Sequence, residues 1–151
     1  MKIDKLQVVQ AIAPQTGASA RTSDYISLKN VVKCLVVCEL AMATTDTCAI
    51  TIEQATTVAG AGHTAITDVV PIWSNLNTST SNTLTARTAA VSYTTDAVAA
   101  NKIVVFQIDP AILDDTYDVI SVVMGASNAS NYYSAVFLCE MKYSGADVIA
   151  D

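Results

Sequence analysis

Few side chains in this 151-residue chain could do chemistry, and their spacing limits what that chemistry would be. His63 is the only histidine. A Ser-His-Asp relay is formally open to it, because Ser and Asp are plentiful, but no G-x-S-x-G elbow presents a nucleophile. His63 is therefore expected in a loop. Beside it, Gly60-Ala61-Gly62 could pass for part of a phosphate-cradling loop. It lacks a third glycine and a following Lys-Ser/Thr, and no helix is expected behind it, so it reads as a turn that needs unusual φ values. Asp109, Asp114, Asp115 and Asp118 make an acidic cluster with the charge to hold Ca²⁺. Pro110, Ile112 and Leu113 fall where an EF-hand loop needs oxygen ligands or a turn glycine. The plainer expectation is that Asp109 caps one helical turn with Pro110 at its first position, and that the other acids line a solvated face.

The four cysteines, Cys34, Cys38, Cys48 and Cys139, all lie in apolar runs. Zinc sites favour tight pairs at turns. Cys34 and Cys38 are four residues apart, so on one strand their Cα atoms are roughly 13 Å apart and cannot share an ion or a bridge. Buried free thiols are expected, with a Cys38–Cys48 cross-strand disulfide as the alternative. Asn77-Thr78-Ser79 and Asn128-Ala129-Ser130 match the glycosylation pattern, which carries weight only with a secretory signal. Trp73 with Tyr132, Tyr133 and Tyr143 could form a sugar-stacking platform; packing in a core or interface is the commoner fate of such residues. No catalytic residue, metal or cofactor is assigned, and the sequence names no enzyme activity.

The elements that would position these groups are strands. From Val31 to Met42 the side chains alternate: Val32, Cys34, Val36, Cys38, Leu40 and Met42 form an apolar face, and Lys33, Leu35, Val37, Glu39 and Ala41 a mixed one. That is a strand with one face in a core and the other half covered. Tyr132 to Tyr143 repeats the pattern, with Tyr133, Ala135, Phe137, Cys139 and Met141 together. Further strands are expected at 5–12, 23–28, 48–55, 66–73, 102–108 and 117–124. Pro71 demotes its strand to an edge or a bulge. Thr44-Thr45-Asp46 predicts a hairpin between 32–42 and 48–55, and residues 125–131 predict another before the last strand. Residues 74–92 are polar and Thr-rich, either a long excursion or short exposed strands. Residues 5–12 read as a first strand or as part of an extended N-terminal arm over 1–20, and 144–151 as a short acidic tail. The strand count and spacing suggest one all-β domain over 1–151, an antiparallel β-sandwich (jelly-roll-like) or a barrel.

Composition narrows the partners. Charged residues make up 15% of the chain against an ordinary 25% or so, and mean hydropathy is +0.40. So few charges imply that Ser and Thr solvate part of the surface and another subunit covers part. The net charge of -6 and the scattered basic residues argue against nucleic acid and anionic membrane surfaces. No targeting segment or transmembrane run of about 18 apolar residues is evident, and synthesis in the cytosol is the simplest expectation.

The order of features carries a resemblance. Tyr25-Ile26-Ser27-Leu28-Lys29-Asn30 precedes an apolar strand. Thr51-Ile52-Glu53-Gln54-Ala55 leads into Val58-Ala59-Gly60-Ala61-Gly62, and Phe106-Gln107-Ile108-Asp109 is followed by Leu113-Asp114 and a Tyr-rich last strand. Over residues 23–143 this resembles the small decoration or auxiliary head proteins of tailed bacteriophages. The resemblance implies a β-rich fold and a symmetric homo-oligomer, often a trimer. It also implies a major capsid protein as partner and a place on the capsid surface of the virion, after synthesis in the host cytoplasm. It brings no catalytic residue. The alternatives are a carbohydrate-binding head-fibre or adhesin module and a tail component.

Overall fold

In the computed structural model, residues 3–145 and 148 are described. The strands are β1 (Leu6–Thr16), β2 (Arg21–Thr22), β3 (Ile26–Ser27), β4 (Val31–Ala41), β5 (Ala49–Ala55) and β6 (Thr64–Ala65). They continue as β7 (Val70–Asn75), β8 (Thr85–Ala90), β9 (Ser92–Thr94), β10 (Asn101–Ile108), β11 (Val119–Met124) and β12 (Tyr132–Met141). Sheet one runs β1-β12-β4-β10-β7-β8. In sheet two, β11 and β5 are the central pair; β2 and β3 edge β11, and β6 and β9 edge β5. All the pairings are antiparallel.

The two sheets pack face to face as a β-sandwich. The alternation dictates this: Val36, Cys38 and Phe137 from sheet one and Ile50, Ile52 and Val122 from sheet two are fully buried in one core. Every connection except β2–β3, β5–β6 and β7–β8 crosses from one sheet to the other, which is the winding of a jelly roll. The two sheets share no ladder, so the barrel alternative does not form.

That winding corrects both predicted hairpins. β4 pairs with β12 and β10, whereas β5 pairs with β11, β6 and β9, so residues 42–48 bridge the sheets. Residues 125–131 do the same between β11 and β12. Asn131, fully buried, ties these crossings together. Its Oδ1 accepts from the Ala43 and Thr44 amides at 2.8 and 3.1 Å, its Nδ2 donates to Ser127 Oγ at 3.0 Å, and its carbonyl accepts from the Gly17 amide at 2.7 Å. A Cβ on Gly17 would lie 2.4 Å from the Tyr133 ring, so only glycine fits at that corner.

One smaller departure has a local cause, and two alternatives are decided. Val32 is 47% exposed and Val31 is buried instead, because the β4–β12 ladder shifts register between Glu140 and Met141. The ladder of β7 with β8 shifts around Pro71, as a residue without an amide donor requires. Residues 6–16 form a strand of sheet one paired with β12, with Val9, Ala11 and Ile12 buried, rather than an arm reaching outwards. Asp109 Oδ1 accepts from the Ala111 amide at 3.0 Å and caps a 3₁₀ turn at Pro110–Ile112. Of the acidic tail, 146, 147 and 149–151 lie outside the described residues, whereas Val148 is buried and its carbonyl accepts from the Ser27 amide.

Candidate functional site

The chemistry-bearing residues named from sequence are mostly occupied in holding loops. His63 Nδ1 lies 3.3 Å from Glu53 Oε2, which also accepts from the Tyr25 hydroxyl at 2.8 Å. Burial pushes the Tyr25 phenol above its usual range, and the Glu53 carboxylate adds to the shift. Gly60, at φ +76°, packs on the Tyr25 ring, where a Cβ would sit 2.7 Å from Cε2. The Gly60–Gly62 turn thus seats a tyrosine and is not shaped around a phosphate.

The acidic residues are dispersed. Asp109 is spent on its cap. Asp114 accepts from the Gln54 side chain and from Thr67 Oγ1, and Asp118 pairs with Lys29 at 2.9 Å. Among the described residues, no group of three or more His, Cys, Asp or Glu is placed to hold a metal ion. Asn77 and Asn128 each accept from the backbone amide two residues on, at 3.1 and 2.9 Å, so both glycosylation-like triplets are tight turns. The four cysteines are free and buried. Cys34 and Cys139 face each other across β4 and β12 with 3.5 Å between sulfurs. The aromatic platform that the sequence left open does not assemble: Tyr133 points into the core, Tyr132 points out, Tyr143 lies past the end of β12, and Trp73 is three strands away on β7.

What the fold does build is a surface. The outward side of sheet one carries two apolar rows. One runs Val8, Leu138, Leu35 to Gln107; the next runs Gln10, Val136, Val37, Val105 to Trp73. Val8 is 60% exposed, Leu138, Leu35, Val136, Val37 and Trp73 are half-buried, and Val105 is buried. A sheet face open to water normally alternates to polar residues on that side. Here polar residues sit at the two ends, Lys33 and Glu140 at one and Glu39 and Ser134 at the other.

At the Glu39 end the face deepens into a cleft of about 440 Å³. Glu39, Ser134 and Ile103, side by side on β4, β12 and β10, make its floor. Tyr132 and Pro14 line one side and Asn101 and Thr78 the other, Thr78 held by its amide on the Asn101 carbonyl at 2.9 Å. The Glu39 carboxylate and the Tyr132 hydroxyl have no hydrogen-bond or ion partner among the described residues. The sequence displayed this face only as a "mixed" alternation. A carboxylate set within an otherwise apolar strand was its one visible signal.

No protein-family profile matches the chain, and no curated protein matches it. Several solved structures are similar. The SPBc2 prophage-derived protein YomS aligns at 10% identity and a TM-score of 0.48, covering 88% of this chain and 92% of that one. The enzymatically active domain of tailspike protein 4 from bacteriophage CBA120 aligns at 8% identity and 0.41, covering 91% of this chain and 20% of that one. An isomalto-dextranase from Arthrobacter globiformis T6 aligns at 11% identity and 0.41, covering 91% and 24%. These values mark a broad likeness of strand layout and no more.

Proposed function

We propose that this chain is a virion structural protein of a tailed bacteriophage, a decoration protein that seats on the outside of the head as part of a symmetric oligomer. The observation that carries the reading is the outward face of sheet one, whose apolar rows, Val105 apart, are half-buried or exposed in the isolated subunit. Exposed contiguous apolar surface of this kind marks an interaction site. The low charge fraction and the order of sequence features over 23–143 support the same reading. The mechanism is mass action: a protein that binds the assembled shell and not its dispersed subunits stabilises the shell. No catalytic step is part of this proposal.

The test is to add the purified chain to heads of the source phage that lack it. Stoichiometric co-sedimentation with filled heads, and rupture of those heads at a higher temperature, are expected. Co-purification with tails alone would move the protein to the tail. A second reading, a carbohydrate-binding module, is favoured by the cleft, where a carboxylate, an amide and an aromatic ring converge. It requires glycan binding that Tyr132→Ala abolishes.

A further inference from the structure

We infer that the outward face of sheet one is a two-fold interface, and that its occupant is a second copy of this chain whose Lys33 enters the cleft at Glu39. This rests on the reading of that face as an assembly surface and adds the identity of the partner. β4 lies third in the six-strand order of sheet one. Its outward residues are, in order, Lys33, Leu35, Val37 and Glu39, spaced about 6.8 Å apart. The strip is basic, apolar, apolar, acidic. A two-fold axis lying between two facing sheets, across the strands and between Leu35 and Val37, reverses that order. It sets Leu35 over Val37 of the other copy and Lys33 over its Glu39.

Neighbouring strands obey the same operation. On β12, Leu138 meets Val136 of the second copy, and Glu140 meets the Ser134 hydroxyl. Along β4 and β12 the surface is thus complementary to itself, as an isologous interface must be, and on β1 and β10 the same operation sets Val8 over Gln10 and Gln107 over Val105. Among the described residues Lys33 makes no ion pair within 4 Å, although Glu140 lies opposite it in register, and Glu39 is likewise unpaired. Aligned sheets cross at about 30°, which displaces a residue roughly 10 Å from the axis by about 5 Å. The lysine stem spans that offset and lies along apolar surface while its ammonium reaches the carboxylate. Five strands and four outward rows give a footprint of roughly 650 Å². That is close to the ~800 Å² per partner of a standard stable complex. A two-fold pair also departs from the three-fold assembly that the sequence resemblance implied.

Sedimentation equilibrium of the full chain at tens of micromolar should return a dimer. Val37→Asp should give a monomer with an unchanged β circular dichroism spectrum. Glu39→Lys and Lys33→Glu should each weaken the dimer about ten-fold or more through like-charge contact, and the double variant K33E/E39K should recover most of that loss. A monomer or trimer for the parent chain would overturn the inference. So would a dimer indifferent to Val37→Asp, or a double variant no better than the singles. If Val37→Asp fails to fold, the charge exchange still decides. The two proposals fail separately: a monomer that coats heads sinks only the pairing, and a dimer that ignores heads sinks only the decoration role.

Discussion

Asn131 organises more of the molecule than any other polar side chain described. It satisfies two amides of the β4–β5 crossing and holds Ser127 of the β11–β12 crossing, while the residue's backbone carbonyl takes the amide of Gly17 after β1. A buried amide left without its partner costs about 1–3 kcal/mol; these two are only part-buried, so Asn131→Ala should lose roughly 1–3 kcal/mol in all. A urea titration reads this directly, and a midpoint shift under a few tenths molar would show that water replaces the side chain. The thiols supply a second residue-scale expectation. Burial pushes Cys38 and Cys48 upward, and Cys34 is raised first by its contact with Cys139 and then by burial. Such thiols are poor nucleophiles. An aromatic disulfide reagent at neutral pH should find none in the native protein and four after denaturation without reductant. Two or none on denaturation would mean the sulfurs have paired.

At the scale of elements, the first strand is tested by removal. β1 pairs with β12 along its length and buries Val9, Ala11 and Ile12. Deleting residues 1–12 exposes one ladder of β12 and part of the core, and should lower the melting temperature by ten degrees or more or abolish the cooperative transition. An intact melt would show that the segment is dispensable to the fold and free to serve a neighbour. The contrast between strands and their partners explains what the sequence could reveal. β4, β5, β10 and β12 were legible because alternation is a property of consecutive residues and the core face obeys it. Which strand lies beside which was not. Thr44-Thr45-Asp46 suits a hairpin and a sheet-to-sheet crossing equally well, and what decides is Asn131, 87 residues away in sequence. Val32 misled for a similar reason, since a register shift set by β12 turned it outwards. The cleft was invisible because its floor comes from three strands that meet only in the fold. The apolar outward rows were half visible: Leu35 and Val37 broke the polar alternation, but their neighbours Val105 and Val136 could not be placed beside them.

For the whole molecule, the buried acids give a pH signature. Tyr133 is pushed up to about 12 by burial, and three of the thiols and Tyr25 are raised as well. In the unfolded chain the thiols ionise from about pH 8.5 and the phenols from about 10. Between those values and the raised native ones, the folded state binds more protons than the unfolded state, so stability falls as pH rises. It should be fully present below about pH 8.5 and decline steadily above it. Urea midpoints at pH 7, 9 and 10 check this, and Cys38→Ala should shallow the slope; a flat profile would contradict it. The strand order has a last consequence, for synthesis. β12 lies between β1 and β4, and β11 lies between the β2–β3 edge and β5. In each sheet, a strand flanked on both sides is therefore among the last the ribosome makes. Until about residue 141 has emerged β1 has no partner, and β5 lacks its central neighbour until residue 124. A growing chain cannot acquire the fold piecewise from its N-terminus, and its apolar segments wait unpaired for most of translation, the interval in which such chains aggregate. Slow translation or crowding of nascent chains should therefore lower the yield of soluble protein more sharply than any single surface substitution does.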